Sequence, residues 1–432
     1  MSERQGKIDR RTWLKVAGGT GLGLVVGGVV GWSSRGTSAP MLPTNSTVTT
    51  GPSATGLTGQ IMLGFLHADA GDAGVFDPAY QMGFEDVNNW LSSWGAPFTF
   101  TQDKEIAEGS ETKAVERVQT MIGRGIQIII GPNWSSECKA LLSLVNNSQV
   151  VLLSPGSSSP DLAIPDDYLF RLQPDNNQQA RAMGRYPVDR GIKAAIAVYA
   201  NEPFGQSLWQ ASAARWKELG VDVLPAFGID PTKKEFVTEM STVNQEYVAA
   251  LKTYKKNEIG IFLVGTYQPI IPLLTALVQY PDLATAVVFD SNNGGNTAIT
   301  DSAGKAAASV GLQAYGIGNP ESPKLDDFVT RYTARTGFAP FGEGVSDYDA
   351  IWIAALSIIA AGKYSGPAIK AVLPQIANSF YGASGWCALN DAGDRKYFFG
   401  DFFQVVTEGG KPVWKKIGYY DGSTDRVTFS SP

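Results

Sequence analysis

Histidine occurs once and cysteine twice in the 432 residues of this chain. Cys138 and Cys387 are too few and too far apart for a disulfide framework or a cysteine-based zinc site. They can pair in an oxidising compartment or remain two buried free thiols, and the second state is the expectation. With His67 the sole histidine, histidine-rich metal sites and two-histidine mechanisms are excluded, and neither metal nor cofactor is expected. The formal net charge is −6 and no Lys/Arg-rich run follows the N-terminus, so nucleic acid is not an expected partner. A Gly-x-Ser-x-Gly elbow is missing, as is a Walker-type Gly-rich loop with Lys-Ser/Thr. A hydrolase would need a base beside its nucleophile, and His67 would be its only histidine base. No catalysis is expected. Beyond residue 33 no long apolar run occurs, so the remainder is expected to be soluble and outside the cytoplasm.

What is present begins with an address. Asp9-Arg10-Arg11-Thr12-Trp13-Leu14-Lys15 precedes a Gly-rich, uncharged run from Val16 to Trp32. Paired arginines, an aromatic, a leucine and a lysine ahead of a weakly apolar core resemble a twin-arginine export signal. Thr37-Ser38-Ala39 is a poor cleavage site because Pro40 follows, so removal and retention as an N-terminal anchor both stay open. Ser33 to Gly59 is rich in Ser, Thr, Pro and Gly and reads as a flexible tether.

The organising stretch of the folded part runs from Gln127 to Pro160. Gln127–Ile130 and Val150–Leu153 are apolar runs too short for helices, separated by a helical pattern, which describes a βαβ unit with parallel strands. Each strand ends in a small, hydroxyl-rich loop: Gly131-Pro132-Asn133-Trp134-Ser135-Ser136, and Ser154-Pro155-Gly156-Ser157-Ser158-Ser159-Pro160. Ligands of open α/β sheets bind beyond the carboxyl ends of strands, and the helix after the first loop offers unpartnered N-terminal amides. Each loop alone is ordinary turn chemistry; side by side they make a polar cradle for a small carboxylate- or amide-bearing group.

Around this unit, Ile61–Leu66 reads as a strand. Tyr80, Phe84, Val87, Leu91 and Trp94 form one helical apolar stripe, and Val115, Val118 and Ile122 a second. Tyr168–Leu172 is a short strand, and Pro174-Asp175-Asn176-Asn177 a break that can cap a helix shortened at Pro187. A second alternating series follows: strands Ala194–Tyr199, Val221–Ala226, Ile259–Val264 and Ala286–Phe289, with helices Gly205–Leu219, Phe236–Lys255 and Pro269–Val278. Two strand–helix series argue two lobes with parallel sheets. A strand near Gly311–Gly318, helices Lys324–Thr336 and Asp347–Ala361, and strand-like runs from Cys387 to Tyr419 complete the chain.

Over nearly all of Gln60–Tyr419 the chain resembles the leucine/isoleucine/valine-binding type of solute-binding protein that serves ABC importers. The residues that carry this are Ile128-Ile129-Ile130-Gly131-Pro132 with Ser135-Ser136, Leu153–Pro160, Asp167-Tyr168-Leu169-Phe170-Arg171, Phe204-Gly205, Phe262-Leu263-Val264-Gly265, Tyr348-Asp349-Ala350 and Gly393-Asp394-Arg395. The resemblance implies the type I periplasmic-binding-protein fold: α/β, two Rossmann-like lobes joined by three hinge crossovers, with the ligand between them. Expected divisions are 1–33 for the signal or anchor, 34–59 for the tether, 60–173 with 318–383 for the first lobe, and 174–317 with 384–432 for the second lobe and hinge strands. The implied partners are a small-molecule ligand and membrane permease subunits, with the protein itself a monomer.

Implied site roles fall on matching positions only. Ser135 matches a hydroxyl that holds a ligand carboxylate, and Gly156, Ser157 and Ser158 belong to the loop that grips an amino-acid head group. Phe204 and Tyr267 match second-lobe aromatics that close over the ligand, and Phe76 falls near a first-lobe aromatic in the expected loop His67–Pro78. Amino-acid binders of this type place an acid after the strand corresponding to Ala286–Phe289. Here Asn292 aligns there, with Asp290 two residues earlier. Either Asp290 receives a ligand ammonium, or the ligand is an amide or carboxylate rather than an α-amino acid. His67 and Trp134 read as structural before they read as ligand contacts, and Glu202, Asp230, Asp326 and Asp327 as solvated faces and helix N-termini. The expected function is capture of a small polar solute by hinge closure for an ABC importer; the alternative is a ligand-sensing receptor subunit of the same fold.

Overall fold

The computed structural model describes residues 56–319, 322–396, 399–422 and 424–430. The twin-arginine-like segment and most of the tether lie outside the described residues.

The first sheet is built from β1 (Gly59–His67), β2 (Phe98–Ile106), β3 (Ile128–Ile130), β4 (Val151–Ser154) and β5 (Leu169–Arg171). Their order is β2-β1-β3-β4-β5 and every pairing is parallel. Helices α1 (Ala70–Ser93), α2 (Glu111–Gly123) and α3 (Ser135–Ser148) make the connections. The chain then crosses to a second sheet through α4 (Asn176–Asp189), β6 (Ala194–Ala200), α5 (Pro203–Glu218), β7 (Asp222–Ile229), α6 (Val237–Ala250), β8 (Ile259–Val264), α7 (Tyr267–Leu277), β9 (Val287–Asp290), α8 (Thr297–Ser309) and β10 (Gln313–Ile317). The order β7-β6-β8-β9-β10 repeats the winding of the first sheet. A second crossing returns the chain to the first lobe as α9 (Pro323–Thr336), α10 (Gly342–Ala361) and α11 (Gly366–Ser379), followed by the short pair β11 (Tyr381–Gly382) and β12 (Gly385–Trp386). The third crossing delivers β13 (Phe399–Glu408), β14 (Lys411–Asp421) and β15 (Arg426–Phe429), which extend the second sheet antiparallel from β10.

Parallel strands covered on both faces need continuous apolar sequence. Ile128-Ile129-Ile130 and Ile259–Val264 are buried throughout. On one face of the first sheet, Leu63, Phe65 and Leu153 pack with Tyr80, Val87, Ile351 and Ile358 of α1 and α10. On the other, Ile129 and Leu152 pack with Val118, Leu141 and Val145 of α2 and α3. Each such large apolar side chain contributes about 1.5–3 kcal/mol on burial. Helix α10 is long and apolar enough to cross a membrane by length and composition, yet most of it is buried against α1 and α11.

The turn that carries Gly393-Asp394-Arg395 ties the first lobe to its crossovers. Asp394 accepts two hydrogen bonds from Arg171, at 2.5 Å from Nε and 2.7 Å from Nη2, and both groups are buried. Arg395 donates to the carbonyls of Leu172 and Ser384 and to Ser346 Oγ. Asp349 of the Tyr-Asp-Ala run is structural in the same way, since its carboxylate accepts the amides of Ala383 and Ser384 and the Ser384 hydroxyl. Both cysteines are free and buried. Burial pushes the Cys138 thiol up to about 11 and the Cys387 thiol up to about 12.

Several elements differ from the expectation. Helix α1 begins at Ala70, so the expected loop His67–Pro78 is helical from its third residue past His67 and contains Pro78. Helix α10 begins at Gly342 and not at Asp347. Strand β2 and helices α8 and α11 were not legible as elements. In β2 only Phe98 and Phe100 are fully buried, so this edge strand carries a short, weak alternation.

Candidate functional site

The C-terminal ends of β1, β3 and β4 meet those of β6, β8 and β9 across a cleft, as ligand sites of doubly wound sheets require. The two lobes touch there. Gln268 Nε2 donates to Asp69 Oδ2 at 2.5 Å, and Asn292 Nδ2 donates to Glu343 Oε1 at 3.3 Å. A Cβ placed on Gly71 would lie 2.6 Å from the Tyr267 hydroxyl, so that tyrosine of the second lobe rests on the first turn of α1.

Ser135 is the first residue of α3 and is buried. Its hydroxyl accepts the amides of Ser158 at 3.2 Å and Ser159 at 3.1 Å, and lies 3.3 Å from Ser157 Oγ. The two loops of the polar cradle are therefore stitched together through one oxygen. Gly156 supports this closeness, because a Cβ there would come within 2.8 Å of Asn133 Cβ.

Phe204 sits in the first turn of α5, where Glu202 caps its amide, and its ring belongs to the second-lobe core. Phe76 lies on α1 with its ring 6.2 Å from that of Phe341. Asp290 ends β9 and is buried. Its Oδ1 accepts Ser291 N at 2.7 Å and Asn293 Nδ2 at 3.0 Å, while Oδ2 has no partner among the described residues. Burial outweighs these bonds and pushes its carboxyl up to about 7. Among the expected positions, then, Ser135, Gly156, Ser157 and Ser158 are brought together in the first lobe. Tyr267 and Asn292 reach across from the second.

Several further perturbed groups stand at the cleft; sequence reasoning took His67 as structural and did not single out Asp77, Glu137, Glu343 or Asp347. His67 is the last residue of β1, buried, with Nδ1 3.5 Å from Asp72 and Nε2 3.6 Å from Asp77. Burial alone would lower its pKa, but the two carboxylates outweigh that and hold it at about 9. Lys104 pairs with Asp77 at 2.6 Å; against the cost of burial, His67 and Lys104 draw that carboxyl down to about 2. Glu137 in the first turn of α3 is buried with both oxygens unpartnered among the described residues. Burial, with Asp72, Asp69 and Glu111 nearby, lifts it to about 8. Glu343 and Asp347 of α10 are pushed well above the usual carboxylate range, by burial first and then by Asp72 and their neighbours. Glu343 and Asp347, four residues apart at the start of a helix that also carries Asp349 and is apolar beyond it, were the available signal, and it is visible only when the helix is known to start at Gly342. Among the described residues no group of three or more His, Cys, Asp or Glu is arranged to hold a metal ion.

The profile of the periplasmic binding protein family matches residues 60–401, and the chain belongs to that family. Among solved structures it is similar to a leucine-binding protein of Thermotoga maritima, with a TM-score of 0.70 at 17% identity, covering 82% of this chain and 97% of that one. It is also similar to the Streptococcus pneumoniae branched-chain amino acid substrate-binding protein in complex with isoleucine (TM-score 0.67, 15% identity, 83% and 99% covered). A third similar structure is a Rhodopseudomonas palustris ABC-transporter solute-binding protein in complex with benzoate (TM-score 0.65, 17% identity, 83% and 96% covered). At these identities the likeness is one of fold, and the fold is that of type I periplasmic binding proteins. A Methanocaldococcus jannaschii protein is 22% identical over 364 residues, 80% of this chain and 85% of its own length. Glutamate receptor 2.1 of Arabidopsis thaliana is 24% identical over 58% of this chain, which spans only 27% of the receptor. Family members are extracytoplasmic solute-binding proteins that work with ABC transporters and are generally not enzymes.

Proposed function

We propose that this chain is an extracytoplasmic receptor that captures a small polar solute, a branched-chain amino acid or a related amide or carboxylate, and delivers it to an ABC importer. The observation that supports the reading is a pair of facing lobes: the first carries the joined loops of Ser135 and Gly156–Ser158, and the second reaches the first through Tyr267, beside Gly71, and Asn292, bonded to Glu343. Divided as lobes 60–173 with 318–383 and 174–317 with 384–432, the chain can open and close at its crossovers. A ligand touched by both lobes only in the closed state then shifts that equilibrium. In this reading the Ser135 hydroxyl, which accepts the amides of Ser158 and Ser159, donates its own hydrogen to an anionic or carbonyl oxygen of the ligand beside the N-terminus of α3. The protein performs no catalysis itself. Its permease partner lies in the membrane, and the N-terminal segment exports the monomer and holds it there if it is not cleaved.

A thermal-shift screen of the part from Gly59 against amino acids, short amides, urea and small carboxylates tests this. A ligand at one hundred times its dissociation constant adds about 2.7 kcal/mol of stability. Silence across the whole screen would leave the fold but remove the transport reading. The partial likeness to plant glutamate receptors favours the second reading in that event, a sensing subunit of the same fold.

A further inference from the structure

Helix α10 enters the cleft with Glu343 and Asp347 four residues apart, hence on one face. Glu343 Oε1 accepts from Gln173 Nε2 and from Asn292 Nδ2, each at 3.3 Å and each a neutral donor from a different part of the cleft wall. Asp347 has no exposed surface. Tyr80 and Asn133 stand beside it, but neither of its oxygens has a hydrogen-bond partner among the described residues. Asp72 adds a third carboxylate within electrostatic reach of both. The base within reach of Asp347 is His67, which is already shared between Asp72 and Asp77.

The unfilled atoms around this face are mostly acceptors: both oxygens of Asp347, Oε1 of Gln173 and Oδ1 of Asn133. A buried acceptor without a donor is costly, and a buried carboxylate without a counter-charge more so. What the site lacks is a compact positive group with several hydrogens to give, and an ammonium has three. Asp290, by contrast, already binds its own loop through Oδ1, and the aligned Asn292 spends its amide on Glu343.

Resting on the solute-binding reading, we infer that Glu343 and Asp347 form a cation subsite of the cleft, and that the ligand carries a protonated amine. The ammonium partner thus comes from the first-lobe helix rather than from the loop after β9. Asn292 and Gln173 are positioning residues that hold Glu343 toward the ligand.

The test is isothermal calorimetry and thermal shift on the folded chain from Gly59, with L-leucine, isoamylamine, putrescine and L-arginine set against isocaproate, benzoate, acetamide and urea. Amine-bearing probes should bind. Each hit should weaken about tenfold or more in Glu343→Gln and in Asp347→Asn, the loss of a charge-assisted hydrogen bond. The ligand-free variants should melt no lower than the parent, because an amide of the same shape replaces a carboxyl that burial disfavours as a carboxylate. Hits confined to carboxylates and amides, or amine hits indifferent to both variants, overturn the inference while leaving the solute-binding reading in place. Variants that melt well below the parent overturn it too, since the acids would then be structural. No hit from any probe removes the solute-binding reading and the inference with it.

Discussion

At the scale of single residues, the buried pair Arg171–Asp394 ties β5 to the turn that follows β12. Replacing one partner leaves the other charge buried and alone. Asp394→Ala should therefore destabilise the protein by about 3–5 kcal/mol in urea denaturation. Ser135 links two loops through one oxygen, so Ser135→Ala strands the amides of Ser158 and Ser159. About 1–3 kcal/mol of stability should go with them, together with ligand affinity, in paired denaturation and calorimetry. His67 sets a pH dependence. Its folded pKa of about 9 lies above its usual value of 6.5, so its contribution is complete below pH 6.5 and is lost as pH rises through 9. Glu137 acts in the same direction: its carboxyl, raised to about 8 from 4.5, is unstrained while protonated and penalised as pH climbs through that window. Melting temperature should fall steadily from pH 6 to pH 9, and His67→Gln should make the fall above 6.5 shallower, leaving the part due to Glu137. A flat profile in the parent chain would show that His67 is not held charged.

At the scale of elements, the strands and the central βαβ unit could be read from sequence because their information is local. Ile128-Ile129-Ile130 can only be a covered strand, and the hydroxyl-rich loops follow at once. The starts of α1 and α10 could not, because Gly71, Gly74, Pro78, Gly342 and Gly344 are poor helix formers that read as loop. Two of these glycines answer to contacts far away in the chain. A side chain on Gly71 would strike the Tyr267 hydroxyl of the other lobe, and one on Gly342 would strike the Ile317 carbonyl of β10. Glu343, lying between two glycines, was hidden for that reason. The contrast makes a paired prediction. Gly342→Ala should destabilise by about 1–3 kcal/mol through overpacking. Gly344→Ala, whose Cβ meets only the Phe76 ring at an ordinary 3.6 Å, should be neutral or stabilise by up to about 1 kcal/mol through helix propensity. Chemical denaturation of the two variants side by side decides it.

At the scale of the whole molecule, the repeated winding of the two sheets places both sets of loops on facing edges, and the direct links across the cleft are small. Asp69–Gln268 is one of them. Gln268→Ala should bias the ligand-free protein toward separation of the lobes and weaken any ligand severalfold, without lowering the denaturation midpoint of either lobe. Small-angle scattering should show a larger radius of gyration in the free variant than in the free parent, and the same radius in both once ligand is saturating. Equal radii in the free proteins would mean that the contact has no part in closure.

The two sulfhydryls matter in a different setting. Both are enclosed, and the raised pKa of each leaves almost no thiolate at neutral pH. Maleimide dyes should therefore ignore the native chain. A single cysteine introduced on the exposed rim would then be the sole point of attachment, and its fluorescence would report occupancy of the cleft in real time. The scarcity of cysteine that first excluded a cross-linked scaffold makes this periplasmic binding protein a ready frame for an optical sensor.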